Sequence, residues 1–147
     1  MTRWIAVALL LGAVSPSHGA DSARATMDVG AFVAPRLVLT AVDQPQALEL
    51  DAADVARGYV DVAASYSIRT NDRNGYLLRF APRQGYTTGV EISGAGLQVA
   101  MVDAEVEVVR TEVAAASRVA LRYRLHLSPA AVPGRYPLPV HVSVAPL

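Results

Sequence analysis

The sequence predicts an all-β protein, an antiparallel sandwich of about seven to nine strands. Three observations lead there. Beyond residue 25, apolar residues recur at every second position, as on strands with one wet face. Clusters rich in Gly, Pro, Asn and Asp separate these runs. No strand–helix–strand rhythm accompanies them, which argues against a parallel sheet. A closed barrel fits less well, because the strand lengths are unequal.

The chain opens with Arg3, an apolar stretch from Trp4 to Val14, a break at Ser15-Pro16 and the small residues Gly19-Ala20. This is the three-part pattern of a secretory signal peptide over 1–20, cut after Ala20, with Ala25 as the weaker alternative. The apolar stretch, about eleven residues, is too short to span a bilayer, and no later segment reaches that length. A single domain over 21–147 is therefore expected to leave the cytoplasm for the periplasm, cell surface or medium.

The strands follow in order. In 26–34, Met27, Val29, Ala31 and Val33 share one face. Residues 59–70 place Val60, Val62, Ala64, Tyr66 and Ile68 opposite Asp61, Ser65, Ser67 and Arg69. The cluster Asn71 to Gly75 tolerates positive φ and should reverse the chain before Tyr76, Leu78 and Phe80. Short strands over 90–92 and 97–102 flank the Gly94-Ala95-Gly96 turn. In 118–128, Val119, Leu121, Tyr123, Leu125 and Leu127 oppose Arg118, Arg122, Arg124 and His126. The last strand, 136–144, sends Tyr136, Leu138, Val140, Val142 and Val144 inward and Pro137 and Pro139 outward. Proline cannot donate a ladder hydrogen bond, so this strand should be an edge or have one open side near its start. Only 47–57 and 113–117 invite a helix, and both are short.

Composition narrows the function. Thirteen basic residues, all arginine, balance thirteen acidic ones, so no global field favours nucleic acid or anionic lipid. Cysteine is absent, which removes thiol catalysis and thiolate metal sites. No nucleophile-elbow, zinc-protease, phosphate-loop or dinucleotide motif occurs. His126 and His141 lack a third ligand at useful spacing, so neither a metal nor any other cofactor is expected. An enzyme is not expected. Asp103, Glu105 and Glu107 alternate with apolar residues. A hairpin through 111–117 would set them across from the arginines of 118–124, a charge ladder that fixes register. The competing reading is an anion patch of Arg118, Arg122 and Arg124. In 84–89, Tyr86 is the candidate exposed aromatic of a ligand loop.

Three segments carry a family resemblance. "ATMDVGAFVAPRLVLTAVDQPQALEL" (25–50) has an alternating strand, a proline, a second short strand and a loop. "YVDVAASYSIRTNDRNGYLLRFAP" (59–82) is similar to a second long strand, turn and hairpin. "LSPAAVPGRYPLPVHVSVAPL" (127–147) closes on a Pro-Gly-x-Tyr turn and a final alternating strand. Together these resemble the spore coat U-like and chaperone–usher pilin superfamily of secreted β-sandwiches. Members of the spore coat U-like group usually tie the first strand to the next long one by a disulfide. Here Leu37 stands at the first position and 68–71 holds no cysteine, so the resemblance is to a cysteine-free variant.

The resemblance implies an immunoglobulin-like, pilin-like sandwich acting as a structural subunit of a surface fibre or coat. Its partners would be subunits of the same or related type, with a periplasmic chaperone and an outer-membrane usher. Assembly would proceed by β-strand addition. The donor would be 26–34, with Met27, Val29, Ala31 and Val33 as plugs and 36–42 as the domain's own first strand. The competing arrangement makes 26–42 one strand bent at Pro35. The alternative function is a self-complete periplasmic or secreted binding module for a glycan or a protein.

Overall fold

A computed structural model describes residues 30–31, 33–83, 85–111 and 114–147. The chain divides into two units, Met1–Phe32 and Val33–Leu147, and all the strands below belong to the second. The signal peptide and the donor positions Met27 and Val29 lie outside the described residues.

Ten strands and one helix follow one another as β1 (Leu37–Asp43), β2 (Ala47–Leu50), α1 (Ala52–Arg57), β3 (Tyr59–Thr70), β4 (Tyr76–Pro82), β5 (Thr87–Gly94), β6 (Leu97–Met101), β7 (Val106–Arg110), β8 (Ala116–Leu127), β9 (Gly134–Pro137) and β10 (Val140–Pro146), counted among the described residues. The fold is all-β. One sheet has the order β1-β3-β8-β5-β6, a second β10-β4-β7, and a two-stranded ribbon joins β2 to β9. Every pairing is antiparallel.

The period of two explains the layers. Val62, Ala64, Tyr66 and Ile68 of β3 and Val119, Leu121, Tyr123, Leu125 and Leu127 of β8 are buried. They share one core with Tyr76, Leu78 and Phe80 of β4 and Val140 and Val142 of β10. Each fully buried large side chain contributes about 1.5–3 kcal/mol. In the middle of this core the hydroxyls of Tyr66 and Tyr123 meet at 3.0 Å, so neither phenol is left without a partner.

Four expectations need correction. The acidic strand does not form a hairpin with the arginine-faced strand: β7 pairs with β4 and β8 pairs with β3 and β5. Glu107 meets Arg79 at 2.6 Å instead. Alternation assigns a face to each residue but says nothing of the partner strand. The turn at 71–75 reverses the chain, yet it carries it from one sheet to the other rather than closing a hairpin.

The expected strand 136–144 is two strands, broken at Leu138-Pro139, because β9 bonds β2 while β10 bonds β4. Pro139 is buried rather than outward. Finally, 47–57 is half strand and half helix. Asp51 caps α1 by accepting from the Asp54 backbone at 2.7 Å, while the Asp54 carboxylate accepts from the Asp51 N–H, a reciprocal capping box.

The β5–β6 hairpin closes through two residues, Ala95 (φ 48°) and Gly96 (φ 74°). Both positions require positive φ, as in a type I′ turn, and alanine is strained there. Ala95→Asn should therefore raise stability by about 0.5–1 kcal/mol. Gly75 (φ 117°) is the opposite case, since a Cβ there would strike the Arg110 carbonyl and come within 2.8 Å of the Leu147 side chain. Gly75→Ala should cost about 1–3 kcal/mol, and urea unfolding of both variants measures the pair.

Candidate functional site

The site with the most distinctive construction is a sheet margin. β10 bonds β4 on one side, and among the described residues no strand bonds its other side. β1 stands likewise at the edge of the five-stranded sheet, and the two edges lie beside each other without pairing. Each is seven residues long. The run from Val140 to Ala145 contains no charged residue other than the titratable His141, and none of its own prolines. Its register against β4 is unbroken from Val140↔Pro82 to Pro146↔Tyr76.

Long, regular, uncharged edges are what monomeric proteins avoid. The other two edges, β6 and β7, are five residues each, and β7 carries Glu107 and Arg110. β1 has one protective feature, a bulge between Ala41 and Asp43. β10 has none.

The core is thin along this margin. Leu37 and Leu39 of β1 and Val144 of β10 are only partly covered, though they pack on the buried cluster. At one end a cavity of about 430 Å³ opens between Val42 of β1 and Val140 and His141 of β10, with a largely polar lining that includes Gln44, Gln46 and Arg83. A strand laid along β10 would find unpaired backbone groups and, behind them, half-covered apolar side chains.

The described residues ahead of β1 belong to no strand. Ala31, Val33 and Ala34 are exposed and extend no sheet, with Val33 74% exposed. The Asn71 side chain fixes the entry point. Its Oδ1 accepts from the Arg36 N–H at 2.6 Å and its Nδ2 donates to the Ala34 carbonyl at 3.0 Å. The described part of 26–34 is thus not a strand of the domain, and the first strand begins at Leu37, after Pro35.

The remaining candidates are dispersed. Tyr86, expected on the surface of a ligand loop, is only 7% exposed. Its hydroxyl donates to the Pro137 carbonyl at 3.0 Å, and its ring lies 4.3 Å from that of Tyr136. A polar loop composition concealed an anchor between β5 and β9. His126 and His141 sit on different sheets, His126 against Glu91 at 2.9 Å and His141 near Arg83. No group of three His, Cys, Asp or Glu side chains converges among the described residues, and no helix among them is long and apolar enough to cross a membrane. Arg124 makes two hydrogen bonds with Asp61, at 2.9 and 3.0 Å. That pairing, together with desolvation and more distant arginines acting in opposite directions, leaves the Asp61 carboxyl below its usual range. Compared with protein-family models, curated proteins and solved structures, the chain matches none.

The buried phenols make a pH prediction. Burial raises the pKa of Tyr66 and, more strongly, of Tyr123, whose bond to Tyr66 adds to the effect; Tyr86 is pushed up to about 12. Below about pH 10 these phenols are protonated in both folded and unfolded chains. Above it only the unfolded chain releases the protons, so stability falls as pH rises from there through the folded values. Absorbance at 295 nm should show these three tyrosines ionising together with loss of β-sheet circular dichroism. Ionisation of all six tyrosines near pH 10 with the sheet intact would contradict the assignment.

Proposed function

We propose that this protein is an exported, non-catalytic structural subunit of a surface fibre or coat, assembled by β-strand addition between copies. The reading rests on one observation: the last strand of the chain is a long, uncharged sheet edge with a free side, set beside a second free edge over a half-covered core. The donor on this reading is 26–34 of a neighbouring subunit. Its Met27, Val29, Ala31 and Val33 would enter the margin as alternate plugs while its backbone bonds β10. Support comes from the exposed, strandless state of Ala31 and Val33, and from the Asn71 side chain, which anchors the chain at Ala34 and Arg36, on either side of Pro35. The immunoglobulin-like topology and the kinship with spore coat U-like and pilin subunits, with their chaperone and usher, belong to the same proposal.

Protein recovered from its native envelope and run unboiled on a denaturing gel should give a ladder that collapses to one band on boiling. Val29→Asp, which places a charge on a plug, should erase the ladder. A single band in both lanes for the wild-type chain would overturn the reading.

A further inference from the structure

The outer face of the five-stranded sheet is electrically divided. At one end its arginine is neutralised: Arg124 by Asp61 in the register pair that joins β3 to β8. At the other end Arg69 of β3 and Arg118 of β8 stand one row apart, since Ser67↔Arg118 and Arg69↔Ala116 are neighbouring pairs. Diagonal neighbours of this kind lie within about 7–8 Å, close enough for long side chains to act together. Arg36, at the entry to β1, joins them. All three are exposed, and none makes an ion pair among the described residues.

Arg36 and Arg69 border a cleft of about 560 Å³ also lined by Thr40, Ser67 and Asn71, with Val38 as an apolar wall; Arg118 lies outside that lining, its guanidinium donating to the Ser65 hydroxyl at 3.2 Å. No carboxylate lines it among the described residues. The nearest in sequence, Asp72, accepts from the Asn74 backbone at 2.9 Å within its own turn. Asp43 faces Ser65 further along the sheet, beside Arg122. Among the described residues no carboxylate of the lining offsets these charges, while the chain as a whole is neutral. The cluster is therefore local rather than a by-product of net charge.

We propose that this cleft binds the carboxylates of an acidic polysaccharide. Guanidinium groups take carboxylates in paired hydrogen bonds. The hydroxyls of Thr40 and Ser67 supply donors and acceptors for sugar hydroxyls, and Val38 offers an apolar surface to a ring face. No aromatic side chain lines the cleft, so a nucleic acid would find nothing on which to stack its bases. The proposal is independent of strand exchange, because the cleft lies on the outward face of β1.

The test is affinity electrophoresis of the full protein in gels containing polygalacturonate, dextran sulfate or neutral dextran. Polygalacturonate should retard the protein, neutral dextran should not, and added salt should release it. Arg36→Gln combined with Arg69→Gln should weaken retardation by about tenfold or more, whereas Arg135→Gln, on β9, should leave it unchanged. Unaltered melting of both variants shows that the fold is kept. Retardation by dextran sulfate alone, equal retardation by neutral dextran, or an equal loss in Arg135→Gln would each overturn the proposal. Should the double variant not fold, Ser67→Arg, which adds charge within the cleft, should strengthen retardation, and no change would count against it.

Discussion

The pairing of β3 with β8 is the constraint on which the rest of the molecule depends. The two strands, twelve residues each, run in register from Tyr59↔His126 to Arg69↔Ala116. Their inward residues supply nine buried apolar side chains to the core, and their outward residues carry the Asp61–Arg124 pair and the Arg118–Ser65 bond. Both ends are closed by further backbone bonds, Leu127 N–H to the Gly58 carbonyl and Thr70 N–H to the Ala115 carbonyl. Exposed ion pairs contribute only about 0–1 kcal/mol each, so the stability comes from the apolar face while the polar face specifies register. A slip by one residue would turn every buried side chain of a strand to water.

That central pair explains why the sandwich has an uneven margin. β3 accepts β1 and β8 accepts β5, which fills the larger sheet on both sides. The smaller sheet has β4 in its centre, β7 on one side and β10 on the other. Among the described residues no strand bonds the free side of β10. The half-exposed state of Leu37, Leu39 and Val144 is the packing counterpart of this unfilled edge.

Much of this was legible in the residues themselves. Alternation identified the buried faces of β3, β4, β8 and β10, because a half-buried strand exposes every second side chain to a different solvent. The last strand is an edge as expected, although the prolines that suggested it lie in β9 and in the break before β10 rather than on β10. Three matters were not legible. Partner choice between β7, β4 and β8 depends on how layers stack, and a local period carries no information about it. The split of 136–144 at Leu138-Pro139 is invisible to alternation, since both halves keep the same phase. Tyr86 was misplaced because the loop around it is polar. Its burial follows from a hydroxyl partner and a second ring, Tyr136, fifty residues downstream. The cationic cleft is not the expected patch of Arg118, Arg122 and Arg124: Arg36 and Arg69 come together only through the pairing of β1 with β3.

The two proposed surfaces meet on one strand. The inward row of β1, Leu37 and Leu39, borders the open margin, and its outward row, Val38 and Thr40, borders the arginine cleft. Pleating keeps these rows on opposite faces, so a strand added at the margin would leave the cleft open. A fibre built by such addition would then present one cleft per subunit at a regular interval. A single shallow, salt-sensitive site holds a polymeric ligand weakly. Many such sites on one rigid chain, facing many carboxylates on another, raise the effective affinity far beyond that of any one of them. On this argument each cleft, with its exposed Arg36 and Arg69, binds weakly by itself, and repetition along a fibre would turn that weak binding into firm adhesion.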